Sequence, residues 1–281
     1  MLKKALCLTL TTLAVASCSS NQLKEQTVEE KKAEVYYGRG TEELISKNYA
    51  QALTYLTQAR DLNPKDSQIR NNLGMAYYFR EQPVLAENEL KEAISIDQKN
   101  SDARINLGSL YMEKNRLKEA REQFERVEKD LTFNNQFRNY YNLGILSLKE
   151  GDRRSAFEYL AKSVKEREDY CAAHYKLGEM YAEEYRFSQA LESFKNAGKG
   201  TCVKEPAPYY QQALTLINLN KPAEAKRKLL EITDKFPSTR FSSMAVAQLR
   251  KLENMPEGQS STRASQTEVI KESRAVETPN F

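Results

Sequence analysis

The sequence predicts an all-α protein, a superhelical solenoid of six helix hairpins with a C-terminal capping helix. Three registers that recur every 34 to 36 residues carry this prediction. An alanine stands twelve residues after a small residue, and a large apolar residue stands four further on, as at Gly40, Ala52 and Leu56. Hairpins that repeat in this way bury their apolar faces against their neighbours, so they stack into an array. The small residues of the six copies are Gly40, Gly74, Gly108, Gly144, Gly178 and Ala213.

The third copy illustrates how one unit folds. Its apolar residues recur at helical spacing on both sides of a short polar turn. Gly108 and Ala120 are small, so the two helices of the unit can approach closely. Leu107, Tyr111 and Phe124 then fill the space around that contact.

A period near 34 with this content resembles the tetratricopeptide repeat, a helix-turn-helix unit. The resemblance covers residues 33–237, which it divides into six repeats. Residues 238–254 read as one further helix with an apolar side. The last repeat of an array exposes a core face, so we expect this helix to cap it, with Ser238 as a candidate N-cap.

Residues 1–17 predict a lipoprotein signal peptide. A basic start precedes an apolar run that is too short to span a bilayer as a permanent helix. The run ends in Val15-Ala16-Ser17-Cys18, which resembles the lipobox of bacterial lipoproteins. The resemblance implies cleavage before Cys18 and lipidation of that residue on its sulfur and its amine. An ordinary secretory signal that ends near a cysteine is the alternative.

The residue after Cys18 bears on whether a lipoprotein is retained in the inner membrane. Ser19 stands where an aspartate often retains lipoproteins in the inner membrane. The resemblance therefore implies a lipid anchor in the outer membrane, with the protein facing the periplasm. Residues 18–32 are polar and predict a lipidated N-terminus and tether, which can become helical near the first repeat. Residues 255–281 contain few apolar side chains, a composition that predicts a disordered tail.

Two cysteines, Cys171 and Cys202, remain after processing, because Cys7 leaves with the signal peptide and Cys18 carries lipid. Cys171 begins the first helix of the fifth unit, and Cys202 follows its second helix. These two ends lie side by side in an antiparallel hairpin, so an oxidising compartment favours a disulfide. The alternative is that both stay reduced as thiols. His174 is the single histidine and no CxxC motif occurs, so we expect no metal and no cofactor.

The charge balance and the motifs argue against two classes of function. The chain carries a formal charge of +4, which falls to +2 when Lys3 and Lys4 leave with the signal peptide (41 basic against 39 acidic residues). This balance argues against nucleic-acid binding. One histidine and no phosphate-binding loop leave no catalytic constellation, so we expect a protein that is not an enzyme.

The inner face predicts a groove for a protein partner. Tetratricopeptide arrays curve with the first helix of each unit inside, and the residues that the motif leaves unassigned there are apolar and aromatic. Tighter packing that buries some of them is the alternative. The predicted groove residues are Tyr37, Leu44, Ile45, Asn71, Met75, Tyr78, Phe79, Ile105, Met112, Tyr141, Ile145 and Leu148, continued by Tyr175, Glu179, Tyr210, Leu214 and Ile217 in the last two units.

A lipobox followed by six such repeats resembles the PilF/PilW/Tgl-type lipoproteins. Members of that family are pilotins, which help the outer-membrane secretin of the type IV pilus to reach the membrane and oligomerise. The resemblance implies a secretin subunit as partner, and we expect a monomer that does not bind nucleic acid. A periplasmic scaffold for cell-wall enzymes or proteases, or a subunit of another envelope assembly, is the alternative.

Overall fold

The computed structural model describes residues 26–254, and this part of the chain is an array of thirteen α-helices without a strand. The predicted all-α solenoid of hairpins is confirmed. Predictions for residues 1–17, Cys18 and 255–281 lie outside the described residues. The helices are α1 (Val28–Ile45), α2 (Tyr49–Leu62), α3 (Ser67–Phe79), α4 (Pro83–Ile96), α5 (Ser101–Glu113), α6 (Leu117–Glu128), α7 (Gln136–Lys149), α8 (Arg153–Glu166), α9 (Cys171–Glu183), α10 (Phe187–Ala197), α11 (Pro206–Asn218), α12 (Pro222–Lys235) and α13 (Arg240–Glu253), with a 3₁₀ turn at Gly200–Cys202 before α11.

The helices pack in the order of the chain. The two helices of each hairpin contact each other, and the second helix contacts the first helix of the next hairpin. First helices of successive units also pack together, α1 on α3, α3 on α5 and α5 on α7. Consecutive second helices show no comparable packing within the described residues. The array therefore curves with its first helices on the inner side.

The repeating small residues hold the two helices of each hairpin close together. A Cβ atom added to Gly40 would lie 2.6 Å from Cγ of Leu56, and one added to Gly108 would lie 2.5 Å from Cε1 of Phe124. The six register alanines are 0% exposed. The registers read from the sequence are therefore the contacts that form each hairpin.

All six hairpin turns have the same backbone conformation. A residue with φ between 56° and 83° follows the first helix at one register, and it is a glycine in one turn only. In the first turn, Lys47 N–H donates to Leu44 O at 3.2 Å and Asn48 N–H donates to Glu43 O at 2.8 Å. This pair of bonds is a Schellman motif, which satisfies the last carbonyls of a helix. The left-handed residues are Lys47, Glu81, Asn115, Gly151, Tyr185 and Asn220.

The first helix begins earlier than the predicted repeat. It starts at Val28, so residues 28–32 of the predicted tether belong to α1. Thr27 and Glu30 form a capping box, in which Thr27 Oγ1 accepts from Glu30 N–H at 3.1 Å and Glu30 Oε2 accepts from Thr27 N–H at 2.8 Å. The sequence analysis set the boundary at the repeat motif, whereas this capping signal lies upstream of it.

The last helix covers the core of the sixth unit. Phe241 and Ala245 of α13 are buried in a cluster with residues of α11 and α12. The helix begins at Arg240, and its N-cap is Thr239, whose hydroxyl accepts from Ser242 N–H at 3.3 Å. The predicted N-cap, Ser238, is therefore wrong by one residue.

Candidate partner-binding groove

A cavity of about 230 Å³ opens on the inner side of units two to four. The first helices α3, α5 and α7 form most of its walls, while α4 contributes Leu90 and the segment before α9 contributes one tyrosine. Four predicted groove residues lie on this cavity, namely Met75, Tyr78, Ile105 and Tyr141. The residues that line it are Met75, Tyr78, Leu90, Ile105, Asn106, Ser109, Leu110, Arg138, Tyr141, Asn142 and Tyr170.

Asparagines at one repeat register form a polar row beside the cavity. Asn106 Nδ2 donates to Asn71 Oδ1 at 2.8 Å, which ties α5 to α3. Asn72 Nδ2 donates to Thr41 Oγ1 at 3.0 Å, which ties α3 to α1. Asn142 Nδ2 approaches Ser109 Oγ at 3.5 Å. The row places amide groups, which both donate and accept hydrogen bonds, along the inner helices α3, α5 and α7.

Two polar contacts bridge neighbouring first helices around the cavity. Arg138 of α7 donates to Asp102 of α5 at 2.8 Å. Tyr78 of α3 donates its hydroxyl hydrogen to Oε2 of Glu113 at 2.6 Å. Burial, and then the hydrogen bond and the negative charge of Glu113, raise the pKa of Tyr78 to about 12. Both bridges couple the walls of the cavity across unit boundaries.

The aromatic ring of Tyr141 forms part of the cavity wall. Its ring packs edge-on against Tyr170, with centroids 5.6 Å apart. Burial raises the pKa of the Tyr141 hydroxyl, with a smaller effect from Tyr170. The cavity therefore offers an aromatic wall at one end and the thioether of Met75 nearer the other, a combination that suits an apolar side chain.

The remaining predicted groove residues lie elsewhere. Asn71 is buried in the amide row, and Ile45 is 76% exposed at the end of α1. Phe79 does not line the cavity, because its ring stacks on Tyr49 of the preceding unit with centroids 4.8 Å apart. Half-buried positions outside the cavity are Tyr37 and Leu44 against the first-unit core, Met112 and Leu148 against the central core, and Ile145.

The predicted continuation of the groove into the last two units differs from the structure. Tyr175, Tyr210, Leu214 and Ile217 are buried and belong to a core cluster with Phe241. Glu179 is half-buried and pairs with Lys176. Burial raises the pKa of Glu179, against the lowering effect of Lys176. The repeat register predicted which side of each helix these residues occupy. It did not predict how far their side chains are buried.

Sequence reasoning missed Asn106, Asn142, Arg138 and Tyr170 as cavity residues. The asparagines had a usable signal, since they recur at one repeat register with Asn72. Arg138 is held by Asp102, a pairing between units that no single repeat reveals. Tyr170 precedes α9 and lies outside any helical register.

A disulfide joins Cys171 and Cys202 in the structure, with Cα atoms 6.4 Å apart. Cys171 is the first residue of α9, and Cys202 ends the 3₁₀ turn that follows α10. The two ends of the fifth hairpin thus meet, as the antiparallel arrangement predicts. The oxidation state in the isolated protein stays a prediction.

Two further properties concern the described residues alone. Between residues 26 and 254, no group of three or more His, Cys, Asp or Glu side chains has the arrangement of a metal site. No helix in the same range is long and apolar enough to cross a membrane. The imidazole of His174 contacts the carbonyl oxygen of Glu168 at 2.8 Å.

Family models described as "Tetratricopeptide repeat" match residues 37–98, 80–139, 137–170 and 209–239. Together the matches cover more than half of the chain and fall on the hairpins of the structure. The chain therefore belongs to the tetratricopeptide-repeat proteins.

Among individual proteins, the chain is similar to the type IV pilus assembly protein PilF of Pseudomonas aeruginosa, with 26% identity over 151 residues. This match covers 54% of the chain and 60% of PilF, so the similarity spans less than two thirds of that relative. The solved P. aeruginosa pilF structure has a TM-score of 0.66 at 19% identity, covering 79% of this chain and all of that one. The structure of PilW, a type IV pilus biogenesis factor, has a TM-score of 0.65 at 19% identity, covering 76% and 98%. The solved PilF and PilW structures therefore have the same fold as this chain.

Proposed function

We propose that this chain is a non-catalytic periplasmic scaffold of type IV pilus biogenesis, a pilotin that binds the secretin subunit. The observation that carries the proposal is the similarity to PilF over 151 residues. The cavity between α3, α5 and α7 supports it, because an inner-face cavity with apolar walls and an amide row suits a protein segment. Residues 15–18, which resemble a lipobox, support the lipid anchor.

The proposed mechanism divides the work between the lipid and the solenoid. Lipid on Cys18 holds the array at the inner leaflet of the outer membrane, where several acyl chains anchor far more firmly than one. Asn106 and Asn142 hydrogen-bond the backbone of an extended segment of the secretin. An apolar side chain of that segment enters the cavity against Tyr141 and Met75. The secretin monomer is thereby held at the membrane until it joins the ring.

The partner is tested by crosslinking in intact cells of the native host, followed by capture of the tagged lipoprotein. We expect the secretin subunit in the capture from the wild type and its loss with Tyr141→Ala. Tyr55→Ala is the control, since that ring of α2 stacks on Tyr36 and lies outside the cavity. Capture of a wall hydrolase or a protease without secretin would replace the proposal by the general periplasmic scaffold.

The anchor is tested separately with a palmitate analogue that labels lipoproteins. Cys18→Ala should abolish the label and release the protein from the outer-membrane fraction. Cys202→Ala, which removes a cysteine of the fifth hairpin, should keep both. Unchanged labelling of Cys18→Ala would contradict the lipoprotein assignment and leave the groove proposal standing.

A further inference from the structure

Arg70 near the start of α3 is held by two hydrogen-bond acceptors, which together we call its cradle. Its Nε donates to the carbonyl oxygen of Pro64 at 3.2 Å, and its Nη1 donates to Oε2 of Glu89 at 2.9 Å. The side chain is 18% exposed and that of Glu89 is 13% exposed. The second unit therefore gives a largely buried guanidinium a carboxylate partner on its own second helix.

Arg104 occupies the same cradle one repeat later. Its Nε donates to the carbonyl oxygen of Gln98 at 3.2 Å, as Arg70 does to Pro64. Its Nη1 donates to Oε1 of Gln123 at 3.2 Å. Gln123 stands at the register of Glu89, so the geometry is kept while the negative charge is absent.

The guanidinium of Arg104 is thus a buried cation whose hydrogen-bond partners are neutral, while the carboxylates of Glu122 and Asp97 act on it from beyond contact distance. The residue is 7% exposed, and within residues 26–254 no carboxylate oxygen lies within 4.0 Å of it. Its four hydrogen bonds go to oxygens of Gln98 and Gln123. A guanidinium has five N–H groups, so one on Nη1 is left over. A buried charge without a counter-charge is costly, and a carboxylate is its best partner.

A solvent-open depression of about 510 Å³ gives access to this cation. Its charged lining comprises three cations, Arg104, Arg126 and Lys129, against two carboxylates, Glu122 and Glu125, an excess of one positive charge. Arg126 pairs with Glu122 at 3.1 Å, and Glu125 lies 3.7 Å from an arginine of its own helix. Lys129 has no ion pair in the described part of the chain. The depression shares no residue with the cavity between α3, α5 and α7.

We propose that this depression binds a carboxylate side chain of an acidic protein segment. The carboxylate supplies to Arg104 the counter-charge that Glu89 supplies to Arg70, and Lys129 adds a second contact at the rim. The proposal does not depend on the identity of the partner in the inner cavity, because the two sites are separate.

The test uses the folded protein labelled with ¹⁵N at arginine, which reports each Nε–H group. A short acetylated peptide rich in Asp and Glu is added at constant ionic strength. The Arg104 signal should shift and saturate, whereas the Arg70 signal should not, because Glu89 already occupies that cradle. Inorganic phosphate is the comparison probe, and a response to phosphate without a response to the peptide would overturn the proposal.

Two reciprocal substitutions complete the test. Gln123→Glu supplies an internal carboxylate, so it should weaken peptide binding at Arg104 by about tenfold or more without lowering the melting temperature. Glu89→Gln removes the carboxylate from the other cradle, so Arg70 should begin to respond. Unchanged peptide binding by Gln123→Glu would refute the site. If that variant does not fold, Lys129→Glu at the exposed rim replaces it, and the same weakening is expected.

Discussion

The hydroxyl of Tyr78 donates a 2.6 Å hydrogen bond to Glu113, which lies 35 positions further along the chain. The bond joins the ends of α3 and α5, two first helices of successive units. Since the ring of Tyr78 also lines the cavity, the position of one cavity wall is set by a contact between repeats.

Tyr78→Phe keeps the ring and removes this bond. We expect a loss of about 0.5–1.5 kcal/mol in the free energy of unfolding at neutral pH. The pKa of folded Tyr78, about 12, exceeds its usual value of 10.0, so its contribution is fully present below pH 10 and is lost as the pH rises through 12. Urea unfolding of both proteins from pH 8 upwards should therefore show curves that converge. A difference that is constant with pH would contradict this assignment, and Glu113→Gln, which keeps an acceptor, should retain part of the stability.

Tyr141→Ala should weaken binding of the proposed secretin partner by about 2 kcal/mol or more, because it removes an aromatic wall of the cavity. It also removes the contact with Tyr170, so a modest fall in melting temperature is expected. Tyr55→Ala should leave partner binding unchanged, since Tyr55 of α2 stacks on Tyr36 outside the cavity. Binding is measured by titration of the purified partner, with melting followed by circular dichroism. Equal losses from both variants would move the interface away from the cavity.

The disulfide between Cys171 and Cys202 closes a separation of 31 residues, which predicts a stabilisation of about 3.7 kcal/mol from loop entropy. Intact-mass analysis of protein isolated from its native host, alkylated under denaturing, non-reducing conditions, should show neither cysteine modified. A reductant should lower the melting temperature of the wild type but not that of a variant with both cysteines changed to serine. Alkylation of both cysteines without reductant would exclude the bridge.

Two glycines in α1 should respond to alanine in opposite directions. A Cβ on Gly38 meets no atom within 4 Å, so Gly38→Ala should stabilise the helix by about 0.5–1 kcal/mol. A Cβ on Gly40 would meet Leu56 Cγ at 2.6 Å, so Gly40→Ala should destabilise by about 1–3 kcal/mol. Thermal unfolding of the two variants measures both effects. Similar shifts in the two variants would mean that the close approach of α1 and α2 does not limit the first hairpin.

The hairpin fold was predictable because its determinants are local and repeat. Gly108, Ala120 and Phe124 meet within one hairpin, so their spacing along the sequence reports the contact directly. The start of α1 was not predictable from the repeat, since Thr27 and Glu30 cap the helix upstream of the motif.

The repeat pattern predicted which side of the array carries the groove. It did not predict which side chains on that side line a cavity and which are buried. Tyr141 and Tyr175 stand at the same register, yet Tyr141 lines the cavity whereas Tyr175 is 0% exposed and packs edge-on against Phe194. Neighbouring units determine that difference, and a register within one unit carries no information about them. The pairing of Arg138 with Asp102 likewise depends on how two units stack.

The shared conformation of the six turns leaves their side chains almost unconstrained. Backbone hydrogen bonds close each turn, so lysine, glutamate, asparagine, glycine and tyrosine all occupy the left-handed position. Residues other than glycine pay a small conformational cost there, but none of them has to make a particular contact. One edge of the solenoid is therefore a row of six sites whose charge and size can change independently of the curvature. Along that edge the surface of the protein can diverge while the geometry of the inner helices is inherited intact.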